Sequence, residues 1–455
     1  MSAYLQFKAG AAARARMAYT TSLLTKAAGV HRLRGFTLIE LMISLTLGLL
    51  VLAAISTIFV NTGKTNREQT ALARMQENGR FALSRISADL RMAGAQYCSS
   101  FGSEAGSQTQ GHRLRPLRVF TGVTLPNGVP SRALSVPVPP AGEPGLLSPR
   151  FFMQGHECTT VATCQPFLNV LGAATPVPPV TGIAANQRAA GADVLTVRYL
   201  AGNGVPLTVA HAAGATPLVM ASAASAAPLN FAAGNLAMVT DCVSAEVFSA
   251  NFGGTAVTPF GNAGSNNLRA YSLGLDPRVF NFTQDLWTVT YFLRMRANAD
   301  GGASISTLVR QQNGLAQDVS DGVERMEFLY GVRVVLPPAG AGVPAVINTH
   351  FLTAAQVQAG TSATGAALPC LPQPKGVGVL EVGCLWRQVE SIDVGLLLNT
   401  VTDVATRQTE PFSFSAAAVP LVAATPPAVL PSGLPRGRMY RKEFRTRVNV
   451  RSFTY

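Results

Sequence analysis

One carboxylate stands out because it lies in an apolar run that is long enough to cross a membrane. Glu40 follows Gly35 and Phe36, and the run from 36 to 60 holds no other charged residue. At about 1.5 Å of rise per residue the run spans roughly 37 Å as a helix, which exceeds a hydrocarbon core of about 30 Å. An unpaired ionised side chain there costs on the order of 2.5–3.5 kcal/mol. A carboxylate in this place therefore indicates a positively charged partner.

The other residues that could do chemistry form no catalytic pattern. The five histidines are far apart in the sequence, at His31, His112, His156, His211 and His350. The chain contains no HExxH, GxSxG or Walker A motif, and no GxGxxG that follows a strand and opens a helix. His156, Glu157 and Cys158 are adjacent, but adjacent side chains do not easily converge on one metal. We therefore predict no enzyme activity, no metal site and no cofactor.

The six cysteines form an even set without a CxxC pair: Cys98, Cys158, Cys164, Cys242, Cys370 and Cys384. Zinc ribbons and redox motifs need such close pairs, so the set favours disulfides in a body outside the cytoplasm. We predict the sequence-local pairs Cys158–Cys164 and Cys370–Cys384, which leaves Cys98–Cys242. Sequence does not choose among the pairings that six cysteines allow, and the alternative is that some are free buried thiols.

The net charge of +13 is concentrated towards the two ends of the chain. The first 35 residues contain no acid and supply almost half of this charge. Their cations are Lys8, Arg14, Arg16, Lys26, Arg32 and Arg34. Part of the rest lies at 436–451. Hydrophobic residues make up 48% of the chain and charged residues 13%, a balance that indicates a compact body rather than disorder.

Three interpretations fit the N-terminal segment. A cleaved signal peptide has a shorter apolar core and then a small-residue cleavage site, but this run continues past Ala53 and Ala54. A plain membrane anchor explains the length and leaves Glu40 unexplained. The third interpretation is that the chain is cut between Gly35 and Phe36 and that the apolar helix is retained. The cations before the run place the N-terminus in the cytoplasm and the body on the exported side.

The stretch RGFTLIELMISLTLGLLVLA, which begins at Arg34, resembles the N-terminal motif of type IV pilins and type II secretion pseudopilins. In that family a prepilin peptidase cuts after the glycine, the new first residue is N-methylated, and a glutamate is the fifth residue of the mature chain. The resemblance implies that Gly35 ends a leader of residues 1–35, that Phe36 is the methylated terminus and that Glu40 is this acid. The leader is long for the family, and Met17 is an alternative start.

The resemblance also supplies a partner for Glu40. Cleavage after Gly35 creates a positive amine on Phe36, one helical turn away. In a growing filament the amine of an incoming subunit can pair with Glu40 of a neighbour, which removes the cost of the buried charge only on assembly. The alternatives are that Glu40 snorkels to the membrane surface, or that it pairs with the Phe36 amine of its own chain.

From Asn61 the pattern becomes that of an amphipathic helix. Apolar or small residues recur every three or four positions at Leu72, Met75, Gly79, Ala82, Ile86 and Leu90. No proline interrupts 36–93, so we predict one helix, with 36–60 in the membrane or filament core and 61–93 packed on a body. Gly94 is the expected helix stop. Arg85 and Asp89 are spaced for an ion pair along the helix.

The helix end ALSRISADLRMAGAQYC (82–98) is similar to that of the PilW family of minor pilins, and four later fragments match that family in order: 191–200, 286–294, 322–332 and 386–398. The same fragments alternate as strands do. At the C-terminus Phe444, Thr446 and Val448 alternate with Arg445 and Arg447, which places positive charge on a solvent-facing strand side.

These observations predict an α+β, pilin-like fold in which a long N-terminal helix packs on a β-rich, loop-rich globular domain at 94–455. Stretches rich in Ala, Gly and Pro, at 125–150, 171–192, 201–235 and 335–380, are predicted as long surface loops.

The resemblance implies a minor pilin that primes pilus assembly near the tip, in a system that serves adhesion and twitching motility. Its implied partners are other minor pilins, the major pilin, the prepilin peptidase, the inner-membrane assembly platform, the inner membrane itself and a large tip adhesin. One alternative is a J-type pseudopilin of type II secretion. Another is a tip adhesin or DNA-binding module on a pilin stem, for which DNA binding would weaken steeply with salt.

Overall fold

The computed structural model describes the chain in segments that together hold the long helix and the sheets. These segments are residues 35–97, 99–100, 117–120, 123–125, 145–147, 149–158, 163–166, 168, 178–179, 181–214, 217–220, 235–241, 244–259, 268–297, 304–336, 346–370, 383–405, 414, 434 and 437–450.

Helix α1 is a single continuous helix, Leu38–Met92, of 55 residues. It ends where Gly94 adopts a left-handed conformation with φ 74°, a common helix stop that favours glycine. The Gly94 N–H donates to the Arg198 carbonyl at 2.9 Å, which ties the helix end to a strand. The predicted unbroken helix and its glycine stop are confirmed.

The two halves of α1 belong to two compact units, one up to Thr62 and one from Gly63 onward. The first half is apolar and exposed along its length, and by length and composition it is able to cross a membrane. The second half buries the predicted stripe, with Met75, Ala82 and Ile86 in the core.

Gly79 lies in this buried stripe, where a side chain would have to displace the ring of Phe444. A Cβ built on it would lie 2.7 Å from ring carbons of Phe444, well inside van der Waals contact. The glycine thus lets the aromatic ring pack directly on the helix backbone.

The described strands of the body pair antiparallel, except that Arg118–Val119 is parallel to Ala245–Gly253. In chain order the strands of the described residues are β1 (Ala95–Gln96), β2 (Ser99–Ser100), β3 (Arg118–Val119), β4 (Gly145–Leu146), β5 (Met153–Cys158), β6 (Cys164–Gln165), β7 (Val194–Leu200), β8 (Val205–Pro206), β9 (Leu218–Val219), β10 (Leu236–Thr240), β11 (Ala245–Gly253), β12 (Ala256–Pro259), β13 (Arg278–Asn281), β14 (Leu286–Arg296), β15 (Ile305–Gln312), β16 (Leu315–Asp321), β17 (Val323–Leu336), β18 (Val346–Leu352), β19 (Val389–Asn399) and β20 (Arg441–Asn449). The short helices are α2 (Phe282–Asp285) and α3 (Ala354–Ala359), with 3-10 turns at Pro149–Phe151, Leu273–Leu275 and Cys384–Gln388.

Two sheets share one hydrophobic core with the second half of α1. The first has the strand order β16-β15-β14-β7-β5-β6, and the second has the order β18-β17-β19-β20. Alternate side chains of the fragments 191–200, 286–294 and 322–332 lie in this core: Leu195, Val197, Tyr199, Val289, Tyr291, Leu293, Met326, Phe328 and Tyr330. Trp287, predicted on the same face as Val289, is partly buried against it. The carboxylate of Asp193 joins the sheets, because it accepts N–H groups of Cys158 in β5 and Phe328 in β17, both at 3.0 Å.

A third sheet has a core of its own. Its strands run in the order β4-β3-β11-β10-β13-β8, with β12 and β9 added beside β11. Aromatic and aliphatic side chains such as Phe120, Phe248 and Phe280 fill this second core. The fold is therefore α+β, with a pilin-like helical stem and a β-rich body.

The loop predictions are only partly correct. The stretch 335–380, predicted as a loop, contains the seven-residue strand β18 and helix α3. Thr353 and Gln356 form a reciprocal capping box at the start of α3, and Gly360 ends it with φ 73°. Local capping and pairing with β17 thus order a segment whose composition is typical of a loop.

Candidate assembly site

The start of α1 is closed by two side chains that satisfy each other. The N–H and the hydroxyl of Thr37 donate to Glu40 Oε2 at 3.0 and 2.9 Å, and the Glu40 N–H donates to Thr37 Oγ1 at 3.3 Å. This reciprocal pattern is a capping box, which satisfies N–H groups that a helix start leaves free. The Thr-x-x-Glu spacing is a sequence signature of it.

The capping box holds the Glu40 carboxylate beside the chain that enters the helix. Both contacts from Thr37 go to Oε2, and Oε1 accepts no hydrogen bond from the described residues. Phe36, the residue before Thr37, is 86% exposed. One oxygen of the carboxylate thus accepts hydrogen bonds at the start of its own helix, and the other oxygen can accept from a further donor.

The exposed apolar half of α1 needs a cover other than water. Large side chains from Phe36 to Val60 are all more than half exposed, far beyond the scattered apolar residues of an ordinary surface. Lipid or other apolar helices would cover it equally well, since both are apolar.

The other end of α1 is anchored to the body through one buried carboxylate. Arg310 binds Asp89 with two hydrogen bonds, from Nε at 2.6 Å and from Nη2 at 3.0 Å. The hydroxyls of Tyr199 and Tyr291 donate to the same carboxylate at 2.8 and 2.5 Å. The predicted helical pair with Arg85 does not form, since Asp89 faces the sheet and the Arg85 side chain is exposed.

These contacts decide the charge state of the anchor. Burial by itself raises the pKa of the Asp89 carboxyl, but the hydrogen bonds from Arg310 and the two tyrosines outweigh it and hold the pKa below its usual value. Asp89 therefore stays ionised inside the core, where a bidentate arginine pair is strong and directional.

A second buried ion pair fastens the C-terminal strand. Arg441 at the start of β20 binds Glu324 of β17 through Nε at 2.7 Å and Nη2 at 3.1 Å. Asn399 of β19 donates to the same carboxylate at 2.7 Å. Three neighbouring strands are thus joined at one end of the second sheet.

The alternation predicted for the C-terminal strand is confirmed, but its arginines have partners. Phe444 packs on α1, while Arg447 on the other face binds Asp393 at 2.6 and 2.9 Å. Arg445 lies within 4 Å of both Asp393 and Glu443. The strand face is therefore a mixed ionic surface, which does not favour a DNA-binding strip.

The structure contains both sequence-local disulfides that were predicted. Cys158–Cys164 links β5 to β6, and Cys370–Cys384 links the segment after α3 to the turn before β19. The third predicted pair, Cys98–Cys242, lies outside the described residues.

The histidines of the described residues are held apart. His156 is buried in β5, where its Nδ1 lies 2.7 Å from the Pro166 carbonyl, and His211 lies 3.1 Å from the Arg269 carbonyl in the third sheet. His350 lies on β18, and no group of metal-binding side chains forms within the segments that the structure covers. His31 and His112 lie outside those segments.

Comparisons with known proteins agree with this division into stem and body. A family model for the prokaryotic N-terminal methylation motif matches residues 31–56, and one for Type IV Pilus-assembly protein W (PilW) matches residues 290–452. Pilin-like protein PilA3 of Thermus thermophilus is 35% identical over 92 residues, which are 20% of this chain and 37% of that protein. The chain thus spans well under half the length of this relative. No solved structure matches it.

The matched regions contain the features that the geometry singles out. The methylation motif covers the capping box at Glu40, and the PilW match includes Arg310, whose guanidinium holds the far end of α1. In its N-terminal motif this chain is thus similar to type IV pilin-like proteins, and over residues 290–452 it is similar to the pilus-assembly protein PilW.

Proposed function

We propose that this protein is a minor pilin that primes the assembly of a type IV pilus and lies at its tip with other minor pilins. The observation that carries the proposal is Glu40, a capped but unneutralised carboxylate that begins an exposed apolar helix. The family matches at both ends of the chain support it.

Maturation follows from the same residues. We expect the prepilin peptidase to cut after Gly35, which removes residues 1–35 and leaves Phe36 as the N-methylated terminus. The cations before the cut keep the N-terminus in the cytoplasm, so the domain at 94–455 is periplasmic while residues 36–60 cross the inner membrane. On assembly the subunit moves from this membrane into the pilus at the cell surface.

Assembly exchanges lipid for neighbouring helices. The amphipathic half, 61–93, stays with the body, and the apolar half, 36–60, packs against other subunits in the filament core. Glu40 Oε1 is the free acceptor for the Phe36 amine of a neighbour, and this pair sets the axial register. The partners are other minor pilins, the major pilin, the inner-membrane assembly platform and, at the tip, a large adhesin.

Two substitutions at Glu40 separate the charge from the helix cap. Glu40→Gln keeps an oxygen that can accept from Thr37 and so keeps the cap, but it cannot pair with an amine as an ion. Glu40→Val removes both. Thr46→Val is the matched control, because its hydroxyl bonds only the Ile43 carbonyl of the same helix at 2.9 Å.

We expect all three variants to be processed at Gly35 and to reach the membrane. Immunoblots of sheared pili should show at least a severalfold loss for Glu40→Gln and Glu40→Val, and an unchanged amount for Thr46→Val. Normal incorporation of both Glu40 variants, or absence of the unchanged protein from pili, would overturn the proposal.

A further inference from the structure

The second half of α1 carries cations that the body does not neutralise. Six exposed basic side chains make no ion pair with the described residues: Lys64, Arg67, Arg74, Arg80, Arg85 and Arg91. The acids of the same stretch are Glu68, Glu77 and Asp89, and Asp89 is already bound to Arg310. The exposed helix surface is therefore strongly basic.

The spacing of these residues divides them between two sides of the helix. Arg67, Arg74, Phe81 and Arg85 step by seven, seven and four residues, so at 3.6 residues per turn they share one side over about 27 Å. We call these four residues the basic flank. Arg80 and Arg91 point more than roughly 100° away around the helix axis.

Only the basic flank combines its charge with a large apolar side chain. Phe81 is 57% exposed in the middle of it, whereas the exposed residues one helical turn before and after Arg80, Gln76 and Ser84, are polar. Phenylalanine and arginine are both enriched in protein interfaces relative to the rest of the protein surface.

Lipid headgroups do not account for the whole flank. At about 1.5 Å per residue Arg67 lies roughly 10 Å along the helix from Val60, but Arg74 and Arg85 lie roughly 21 and 38 Å from it. The headgroup layer on one side of a bilayer is only about 5–8 Å thick. Arg74 and Arg85 thus lie beyond the reach of lipid headgroups and are accessible to a protein partner.

A second copy of this chain is a poor cover. Its own helix has the same positive sign, and two like-charged faces repel. Several carboxylates on its body are engaged by its own arginines, as in the pairs Asp276–Arg278 and Asp393–Arg447. A different protein is therefore the better source of the complementary surface.

We propose that the basic flank docks on an acidic face of a different pilin subunit beside it in the filament, with Phe81 as the apolar anchor. The inference rests on the proposed function, since it requires a filament neighbour. It adds that this contact is heterotypic and is selected by charge.

Two double variants with the same change of charge test whether the partner docks on the basic flank or on the other side of α1. Arg74→Glu with Arg85→Glu alters the basic flank, and Arg80→Glu with Arg91→Glu is the matched control on the other side of the same helix. Expressed as full chains, both should reach the membrane in normal amounts. We expect incorporation into sheared pili to fall about tenfold or more for the first, a change of about 1.4 kcal/mol, and to stay within about twofold for the second.

A crosslinking experiment keeps the inference testable if the first double variant does not accumulate. Benzoylphenylalanine replaces Phe81 in the otherwise unchanged full chain, and in a control chain it replaces Gln76, which is exposed on the Arg80 side. Irradiated pili should give an adduct from position 81 with a different pilin subunit, mapped by mass spectrometry to a segment rich in Asp and Glu.

Adducts with a second copy, adducts from position 76 alone, no protein adduct at position 81, or equal losses for the two double variants would each overturn the inference. Failure of the proposed function looks different, because then the unchanged protein itself would be absent from pili.

Discussion

At the scale of single residues, Asp89 shows how a charge is used inside this core. It is 4% exposed and receives four hydrogen bonds, two of them from Arg310. A buried carboxylate and guanidinium are costly to desolvate, but removing one partner is worse, because it leaves the other charge buried and unpaired. Asp89 thus fixes the rotation of α1 about its own axis relative to the first sheet.

Asp89→Asn should destabilise the protein by about 3–5 kcal/mol, because the amide keeps the shape but leaves Arg310 without a counter-charge. The matched control is Asp393→Asn, which breaks the more exposed pair with Arg447 and should cost about 1 kcal/mol or less. Urea unfolding of the full chain in detergent, followed by tryptophan fluorescence, measures both, and the Trp287 ring packs at a tilt against Tyr199, which binds Asp89. Equal effects of the two variants would contradict this role.

At the scale of elements, the β5–β6 hairpin is a short ribbon that depends on buried polar contacts. The Cys158–Cys164 disulfide closes it, and Asp193 accepts the Cys158 N–H. His156 is buried in the same ribbon, and burial lowers its pKa to about 4, while the hydrogen bond to the Pro166 carbonyl opposes the shift. Protonation of this side chain is thus a local weak point.

The stability of the protein should fall as pH drops through this window. The unfolded chain binds a proton at His156 below about pH 6.5, and the folded chain does so only near pH 4, so stability is full above the unfolded pKa and decreases below it. The expected loss from His156 is about 3 kcal/mol at pH 4. The amide of His156→Gln can still donate to the Pro166 carbonyl. In this variant the urea midpoint should change less between pH 4 and pH 6.5 than in the unchanged chain, and above pH 7 the two midpoints should vary with pH in the same way. The same slope in both proteins would refute the assignment.

At the scale of the whole molecule, an exposed apolar helix segment precedes a packed β-rich body. The apolar half of α1 is exposed and uncharged apart from Glu40, whereas the amphipathic half buries one side in a hydrophobic core that it shares with two sheets. Six cations precede the apolar half and so favour one orientation in the membrane. The proposed topology therefore makes opposite predictions for the two ends of this segment.

Ala88→Cys, on the exposed side of α1, should react with a membrane-impermeant maleimide in intact spheroplasts, above the background of the unsubstituted chain. Ser22→Cys, which lies in the leader whichever start is used, should react only after lysis in cells without prepilin peptidase activity, where the leader remains. Labelling of Ser22→Cys in intact spheroplasts would reverse the orientation and exclude the proposed route into a pilus.

The amino-acid sequence by itself determined the features that depend on local order along the chain. The helix over 38–92, its stop at Gly94 and the faces of β7, β14 and β17 follow from periodicity, because neighbours in a helix or strand are neighbours in sequence. The two short-range disulfides were predicted from nearness in sequence alone, without a rule that chooses among the pairings. The Thr37–Glu40 cap was not predicted, although its Thr-x-x-Glu spacing is a local signal.

Only the tertiary structure decided which distant groups meet. Asp89 had a partner one helical turn away in Arg85, but burial turned it to Arg310, 221 residues further along the chain. Strand β18 formed inside an apparent loop because β17 offered it a full ladder of partners. Such pairings depend on which faces are covered once the sheets assemble. The unpaired basic flank of α1 became visible only when the structure showed which of its cations the body leaves uncovered.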